Sequence, residues 1–388
     1  MERNERIFLD YASTAPVFPE AVDAMMPYFA EVYGNASSLH HHGTLAKEAL
    51  DKARAQLAGY IGAQTDELVF TSGGTESNNF AIKGIAFANR HKGNHLIVSS
   101  IEHDCVLNTC KWLREQGFDV TLLPVRENGV VDVDALKDAI RDNTILVSVM
   151  FANNEIGTIQ PIEAIGLVCR EHRIPFHSDA CQSFGKIDID VDRCHIDLLT
   201  INSHKIGGPK GAGALYVRKG TPIVPLLHGG GQENGLRSST ENVSAIAGFA
   251  KAAEICMAHM GNEYCRLTKL RNQLVDFLTE EYSNVYINGH EQNRLPGHLN
   301  FSFHGQEGET IRLLLLLDQM GIAVSAGSAC SSNHGGNASH VLQAIGLNPF
   351  EARGGIRVSM GPGTTEAHIQ KLCMALKENV MQMNSIFS

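Results

Sequence analysis

The segment ELVFTSGGTESNNFAIKGIAFANR (67–90) changes its hydrophobic pattern once, at two adjacent glycines. Residues 67–72 form an apolar run of strand length, whereas residues 76–90 carry apolar side chains at helical spacing. Gly73 and Gly74 supply the turn between the two patterns. The segment therefore predicts a strand that ends in a tight turn and leads directly into a helix.

The same alternation of strand and helix continues through the first two thirds of the chain. Further apolar runs of strand length occupy residues 94–100, 119–125, 144–152, 174–180, 198–203 and 213–217. Helical patterns lie between several of them, at residues 104–116, 133–141 and 162–172. Apolar strands separated by helices are typical of a mostly parallel sheet covered on both faces, here with seven strands. The run GALYV (213–217), with the segment after it, predicts instead an antiparallel hairpin at the edge of this sheet.

The pattern changes after residue 258. A long charged helical pattern (264–282) is followed by short strand-like runs, a leucine-rich helix and a last helical pattern. Such a mixture is typical of an α+β unit. We therefore expect an α/β protein with a large domain of residues 15–258 and a smaller α+β domain built from residues 1–14 and 259–388.

The composition excludes several classes of protein. The 388 residues are 43% hydrophobic, which is enough for globular cores, and the formal net charge is -10. This charge argues against direct nucleic-acid binding, because phosphate neutralisation needs clustered lysine and arginine. The apolar run LLLLL (313–317) is far too short to cross a membrane. The nine cysteines form no CxxC pair, which indicates free thiols in a cytoplasmic protein. Three consecutive histidines (40–42) cannot easily face one ion, so we expect no metal site.

Three polar positions follow strands, and each is a candidate for chemistry. Gly74 and Thr75 lie at the start of a helix, where free N–H groups make a cradle for an anion. Asp179 follows an apolar strand, at the end of the sheet where α/β proteins bind ligands. Lys205 ends another such strand, and a desolvated lysine can act as a nucleophile that forms a Schiff base.

Each of these positions alone is typical of an ordinary structural role: a capped turn, a strand-end aspartate or a loop lysine. Together they match what pyridoxal 5'-phosphate (PLP) needs from a protein. Its phosphate needs the cradle, its pyridine nitrogen needs an anionic partner and its aldehyde needs an amine. The three positions therefore predict a PLP-dependent enzyme.

Longer motifs run along almost the entire chain. They are FLDYASTAPV, YGNASSLHHHG, TSGGTESNN, EHDCVLNTC, NNEIGTIQPI, HSDACQSFGK, SHKIGGPKGAGALYVR, HGGGQENGLRSSTENV, SAGSAC and IRVSMG. In their order and spacing, the chain resembles the NifS/IscS-type cysteine desulfurases of the class V aminotransferase family. This resemblance implies the fold-type I architecture of PLP-dependent transferases and L-cysteine as the substrate.

The resemblance also implies how the cofactor ring would be held. Lys205 would form the Schiff base and later move protons at the α-carbon of the substrate. Asp179 would pair with the pyridine nitrogen, and Gln182 would hydrogen-bond the phenolic oxygen. His103 would stack on the ring and shuttle a proton, while Asn154 would contact both cofactor and substrate.

A second group of residues is implied for the cofactor phosphate. Gly74 and Thr75 would contribute from the helix start, and His204 from the loop that carries the lysine. Either Asn202 or Ser203 would complete the group, since the family usually has serine where Asn202 stands.

Three further residues are implied for the substrate and for a neighbouring subunit. Arg357 would bind the α-carboxylate of the substrate, a bidentate task that suits a guanidinium group, with help from Asn35. Thr240 would reach the phosphate of the cofactor in the neighbouring subunit, which implies a homodimer with composite sites.

Cys330, in the segment SAGSACSSNHGG (325–336), would be the nucleophile. Its thiolate would attack the sulfur of the bound L-cysteine, which leaves a persulfide on Cys330 and releases L-alanine. The small residues around it predict a mobile loop that carries the sulfur outward to an acceptor protein.

The residues after Cys330 depart from the family pattern, so the sulfur acceptor stays open among iron-sulfur assembly, tRNA thiolation and DNA phosphorothioation. Two other functions are alternatives: a selenocysteine lyase or C–S lyase, and a non-catalytic scaffold subunit with the PLP fold. The joint presence of Lys205, Asp179, His103, Arg357 and Cys330 favours the desulfurase.

Overall fold

The computed structural model of the chain describes residues 6–326 and 338–387, with the backbone alone for residues 381–387. Cys330 and the rest of its segment from residue 327 onward therefore lie outside the described residues. The helices are α1 (Pro19–Met25), α2 (Pro27–Ala30), α3 (His41–Gly59), α4 (Gly74–Ala88), α5 (Asp104–Glu115), α6 (Val133–Ala139), α7 (Ile162–His172), α8 (Val243–Glu281), α9 (Thr310–Gln319), α10 (His340–Ala344) and α11 (Glu366–Phe387). The strands are β1 (Ile7–Phe8), β2 (Leu68–Thr71), β3 (His95–Ser99), β4 (Asp119–Leu123), β5 (Thr144–Ser148), β6 (Phe176–Asp179), β7 (Leu198–Asn202), β8 (Gly213–Val217), β9 (Val285–Asn288), β10 (His298–Phe303), β11 (Ile322–Ala323), β12 (Ser325–Ala326) and β13 (Ile356–Ser359).

The large sheet has seven strands in the order β2-β8-β7-β6-β5-β3-β4. Neighbouring strands from β7 to β4 are parallel, while β8 is antiparallel to both β7 and β2. The prediction of a mostly parallel seven-stranded sheet is therefore confirmed. The predicted hairpin at the edge is wrong: β8 is antiparallel as expected, but it pairs with β7 and β2, and the segment after it (219–231) contains no strand. Because β2 pairs with β8 from Leu68–Tyr216 to Thr71–Gly213, β2 forms the edge instead.

Both faces of this sheet are buried, which explains why its strands are continuous apolar runs. Every residue of β3, β5 and β7 is buried. Successive side chains of a strand point to opposite faces. On β3, Ile97 joins the core on one face, whereas Leu96 and Val98 join the core on the other. The edge strand β4 is partly exposed.

A second core lies under the smaller sheet, whose strand order is β12-β13-β10-β9. Its neighbouring strands are antiparallel. The short parallel pair β1 and β11 adds Ile7 and Ile322 to this core, so the amino-terminal segment packs with the carboxyl-terminal third of the chain.

Helix α8 is continuous through residue 258, where the sequence pattern changes. Its first part packs on the large sheet through residues such as Phe249 and Ala253, and its last part packs in the second core through Leu270 and Leu274. The proposed boundary thus falls inside a helix that joins two cores, and the division into domains stays a prediction. Within residues 6–326 and 338–387, no helix is both long and apolar enough to cross a lipid bilayer.

One edge of the large sheet collects the polar positions singled out above. Strands β2, β6 and β7 run in the same direction, because β8 is antiparallel to its two neighbours. Their carboxyl ends therefore meet at one edge. Asp179 is the last residue of β6, Asn202 is the last residue of β7, and the turn after β2 leads to Gly74.

Candidate active site

The turn between β2 and α4 forms a cradle that only small residues permit. Gly73 has a φ of 151°, a backbone conformation that side chains disfavour. A Cβ added to Gly74 would lie 2.6 Å from the sulfur of Cys181, so no larger residue fits without movement. The first N–H groups of α4, a helix of 15 residues, have no acceptor within the helix and suit an anion. Thr75, the second residue of α4, is exposed at this end.

Two polar side chains at the end of β7 take different directions. The Nδ2 atom of Asn202 lies 3.6 Å from the position that a Cβ on Gly74 would occupy, so this amide lies beside the cradle. A Cβ on Gly208 would lie 2.1 Å from Ser203 Oγ, so that hydroxyl lies against Gly208. Neither Asn202 Oδ1 nor Ser203 Oγ has a hydrogen-bond partner in the described part of the chain, although both are buried.

Asp179 is a buried carboxylate that carries a negative charge. Its Oδ1 accepts a hydrogen bond from the N–H of Cys181 at 2.8 Å, and its Oδ2 accepts one from Asn78 Nδ2 at 2.6 Å. Burial alone would raise the pKa of this carboxyl. The hydrogen bonds from Cys181 and Asn78, with the charge of Lys205, hold the pKa below its ordinary value instead.

His103 and Lys205 approach this carboxylate from different elements. His103 caps the amino terminus of α5, where its Nδ1 accepts the N–H of Cys105 at 3.1 Å. Burial and the positive charge of Lys205 lower the pKa of His103, while Asp179 opposes them. The imidazole is therefore neutral near neutral pH. Burial and the same lysine also lower the pKa of His204, to about 4.

Gln182 is held by two hydrogen bonds. Its Nε2 donates to the carbonyl oxygen of Ala12 at 2.8 Å, and its Oε1 accepts from Lys186 Nζ at 3.4 Å. The side-chain amide is buried in this position. One N–H of Gln182 remains for a further acceptor.

Arg357, on β13, brings the second core to the same site. Its Nη1 donates to the carbonyl oxygen of Asn154 at 3.0 Å. Its Nη2 donates to Asp10 Oδ1 at 2.8 Å and to Ser13 Oγ at 2.7 Å. Its Nε is buried without a partner in the described part of the chain. The guanidinium is therefore held in place with donor capacity left over.

The carboxylate of Glu155 and the backbone carbonyl of Glu102 tie α10 to this site. Ser339 Oγ, at the cap of α10, donates to Glu155 Oε2 at 2.5 Å, and His340 Nε2 donates to the carbonyl oxygen of Glu102 at 2.9 Å. Burial raises the pKa of Glu102 to about 8. Both glutamates are next to predicted site residues, His103 and Asn154.

Three of the predicted residues are not part of this cluster. Asn35 is exposed, and its Oδ1 accepts the N–H of Ser37 in a local turn. Thr240 is exposed and makes no hydrogen bond to the cluster within the described residues. Cys330 lies outside the described residues.

Several residues of the site were not predicted. Asn78, Cys105, Asp10 and Ser13 all contact predicted side chains. Asn78 could have been found, because it lies four residues after Gly74 and so on the same helix face. Nothing in the local pattern of Asp10 and Ser13 indicates that they meet Arg357, which lies more than 300 residues away in the chain.

The donor set fits PLP. The cradle and the Asn202 amide suit a phosphate group, the charged Asp179 suits a protonated ring nitrogen, and Lys205 supplies an amine at the same edge. The unpartnered Asn202 Oδ1 and Arg357 Nε are buried polar atoms at this site, and such atoms are normally paired.

Comparison with known proteins agrees with this chemistry. The family model for class V aminotransferases matches residues 7–372. The chain is 48% identical over 380 residues to the cysteine desulfurase IscS of Dictyoglomus turgidum, which covers 98% of this chain and 96% of that protein.

Two solved structures share the fold at high similarity. One is a NifS-like protein, with a TM-score of 0.90 and 36% identity over 97% of this chain and 99% of the other. The second is SspA in complex with cysteine, with a TM-score of 0.81 and 41% identity over 92% of this chain and 100% of the other. From its motifs, its site and these relatives, the chain belongs to the class V aminotransferase family, among the PLP-dependent cysteine desulfurases of the NifS/IscS type.

Proposed function

We propose that this cysteine desulfurase moves sulfur from L-cysteine to Cys330 and then to an acceptor protein. The observation that carries the proposal is the meeting of Asp179, Lys205, His103 and Arg357 at one edge of the large sheet. When bound, PLP supplies an aldehyde that reacts with amines and a ring that accepts electrons from the substrate α-carbon. The residues of the chain bind, orient and exchange protons around it.

The residues that bind the cofactor divide between its two ends. Asp179 pairs with the ring nitrogen, which its low pKa favours. Gln182 offers its remaining N–H to the phenolic oxygen. The cradle at Gly74 and Thr75, together with His204, holds the phosphate. Asn202, rather than Ser203, is the next phosphate ligand in this proposal, because Asn202 Nδ2 lies beside the cradle.

The substrate contacts come from both cores. The N–H of Arg357 Nε and the one unused N–H of its Nη1 are the donors left for the α-carboxylate of L-cysteine. Asn154 supports this contact through its carbonyl oxygen, which fixes the guanidinium. Asn35 is exposed on the loop between α2 and α3. It therefore contacts the substrate only when the substrate or a neighbouring subunit draws this loop inward.

The sulfur transfer balances without an outside oxidant. The Cys330 thiolate attacks the substrate sulfur, and a sulfur–sulfur bond forms as the carbon–sulfur bond breaks. The electron pair of the broken bond stays with the carbon, which takes a proton. The products are L-alanine and a Cys330 persulfide. Lys205 and His103 hold and move the protons at the α-carbon and at the substrate sulfur.

We also propose a cytoplasmic homodimer in which Thr240 serves the partner subunit. Thr240 follows a segment held to the rest of the chain by the bidentate pairs Arg54–Glu233 and Arg237–Glu76. Thr240 itself is exposed, which supports a contact with another subunit. Met26, Phe29, Tyr33 and Leu39, which are 58%, 60%, 65% and 101% exposed, supply apolar surface for the interface.

The proposed cytoplasmic location rests on the cysteines. The eight described cysteines are all free, which supports a reducing compartment.

The test is turnover of L-cysteine by the purified protein with PLP and a reductant. We expect L-alanine and sulfide, loss of the visible cofactor band in Lys205→Ala, and loss of turnover in Cys330→Ser. Without reductant, the peptide that contains Cys330 should gain the mass of one sulfur atom, about 32 Da. Cys265→Ser, at an exposed thiol, is the matched control and should keep turnover.

Three results would contradict the assignment. Full turnover by Cys330→Ser without a persulfide would identify a C–S lyase, and strong preference for selenocysteine would identify a selenocysteine lyase. A protein that binds no PLP would identify a non-catalytic scaffold. Transfer of labelled sulfur to host proteins would then identify the acceptor among those of iron-sulfur assembly, tRNA thiolation and DNA phosphorothioation.

A further inference from the structure

A second thiol lies beside His103, inside the site. Cys105 is the second residue of α5, and its sulfur is 3.1 Å from His103 Nδ1. Asn78 Nδ2 lies 3.2 Å from the same sulfur and 2.6 Å from Asp179 Oδ2. These three contacts form an unbroken chain from the Asp179 carboxylate through Asn78 and Cys105 to the His103 ring.

The direction of each hydrogen bond follows from the chemistry of the groups. An asparagine amide has two N–H donors, so Asn78 can serve Asp179 and Cys105 at once. Burial raises the pKa of the Cys105 thiol to about 12, and Asp179 adds to this effect. The sulfur therefore keeps its proton, which points to His103 Nδ1, while its lone pairs accept the N–H of Asn78.

Nδ1 of His103 thus has two donors and no proton of its own. The N–H of Cys105 donates to it at 3.1 Å, and the thiol approaches it at the same distance. A neutral imidazole carries one N–H. With Nδ1 accepting, that proton lies on Nε2.

The charges that face His103 come from four elements. Lys205 follows β7, Asp179 ends β6, Asp104 begins α5 and His340 begins α10. Burial and Lys205 lower the pKa of His103, and Asp179 and Asp104 raise it. A donor on Nδ1 disfavours the protonated ring, so the thiol acts in the same direction as burial.

We propose that Cys105 is a positioning residue, which together with Asn78 holds the proton of His103 on Nε2 and joins this ring to the Asp179 carboxylate. The inference rests on the proposed function, since only there does His103 exchange protons with the substrate. Its effect is to present one defined N–H, rather than a mixture of tautomers, to the reacting atoms.

The first test measures the His103 ring itself, with and without bound cofactor. The full-length protein is labelled with 15N-histidine, and the His103 signals are identified by their loss in His103→Gln. We expect a protonated Nε2 and an unprotonated Nδ1 in the wild type. In Cys105→Ala, the pKa of His103 should rise by about half a pH unit, because one hydrogen bond to the neutral ring is lost.

Two variants separate positioning from packing. Cys105→Ser keeps a donor and should return the pKa of His103 towards the wild-type value. Cys110→Ala removes another buried thiol of α5, one that makes no hydrogen bond to His103 among the described residues, and should change nothing in the His103 titration. In the active enzyme, the His103 limb of the pH profile of kcat should shift in Cys105→Ala only.

An unchanged pKa of His103 in Cys105→Ala would overturn the proposal, whereas the tautomer should persist in this variant because the backbone N–H of residue 105 still donates to Nδ1. Failure of the proposed function would show itself differently, as wild-type protein that makes no L-alanine from L-cysteine. If Cys105→Ala does not fold, the infrared S–H stretch of Cys105 in the wild-type protein tests the hydrogen bond instead. The band is assigned by its loss in Cys105→Ser. A frequency typical of a free thiol would then overturn the proposal, whereas a hydrogen-bonded frequency would support it.

Discussion

At the scale of single residues, burial and hydrogen bonding give neighbouring groups opposite protonation states. Asp179 and Glu102 are both buried carboxyl groups near His103. Asp179 receives hydrogen bonds on both oxygens and stays charged, whereas Glu102 Oε2 has no partner among the described residues. Burial therefore outweighs the hydrogen bonds to Glu102 and raises the pKa of its carboxyl to about 8.

From the raised pKa of Glu102 we predict how the stability of the folded protein depends on pH. In the unfolded chain the Glu102 carboxyl has a pKa near 4.5, so the folded protein retains a proton that the unfolded chain releases. The stability from this group is complete below the unfolded value and is lost as the pH rises through the folded value. Glu102→Gln, which is neutral throughout, should therefore gain stability relative to wild type as the pH rises from about 4.5 to about 8.

The gain should reach at most about 5 kcal/mol, at about 1.4 kcal/mol for each pH unit of the shift. Urea unfolding of both proteins at several pH values measures the difference in the free energy of unfolding. Glu48→Gln, at an exposed position on α3, is the matched control for the loss of a glutamate charge. A difference for Glu102→Gln that does not change with pH would contradict a raised pKa.

At the scale of elements, α10 shows how a short helix depends on its cap. It has only five residues, and Ser339 Oγ serves both the N–H of Leu342 and Glu155 Oε2. Helices this short are not stable by themselves. The cap therefore ties the helix to a buried carboxylate beside the site.

Ser339→Ala should lower the free energy of unfolding by about 1–2 kcal/mol, because the cap is lost and Glu155 loses its donor. Ser339→Thr keeps the hydroxyl and should stay close to wild type. Urea unfolding measures both variants. Equal stability of the alanine and threonine variants would show that the hydroxyl contributes nothing.

The elements themselves were largely predictable from the sequence. The predicted helix at 162–172 and the strand at 213–217 agree with α7 and β8 to the residue, because burial on both faces imposes a local pattern. The position of β8 was not predictable. Whether a strand lies at an edge depends on β2, which is far away in the chain, and this pairing leaves no trace in GALYV itself.

At the scale of the whole molecule, the proposed dimer predicts that two defective chains can repair each other. Lys205→Ala removes the amine of its own site, and Thr240→Ala removes a hydroxyl proposed to serve the partner's site. In a mixed dimer, one site combines the intact Lys205 of one chain with the intact Thr240 of the other. Re-formed mixtures should therefore turn over more L-cysteine than the sum of the two parent variants.

Sedimentation of the mixed and parent proteins checks that dimers form and exchange. A mixture of Lys205→Ala with Cys330→Ser serves as the comparison, since it tests whether Cys330 acts in the same chain as Lys205. Dimers of Lys205→Ala and Thr240→Ala that exchange but gain no activity would exclude the shared site. A monomeric wild-type protein would exclude the dimer.

The sequence alone determined the order of strands and helices and the positions of Lys205 and Asp179, because burial imposes periodic patterns and strand ends collect ligand-binding groups. It also determined the family, through motifs spread along nearly the whole chain. Only the tertiary structure decided that Asp10 and Ser13 hold Arg357, that Asn202 rather than Ser203 lies beside the cradle, and that Asn78 and Cys105 join Asp179 to His103. These contacts join residues from separate elements, and their distances depend on how the elements pack rather than on any local pattern.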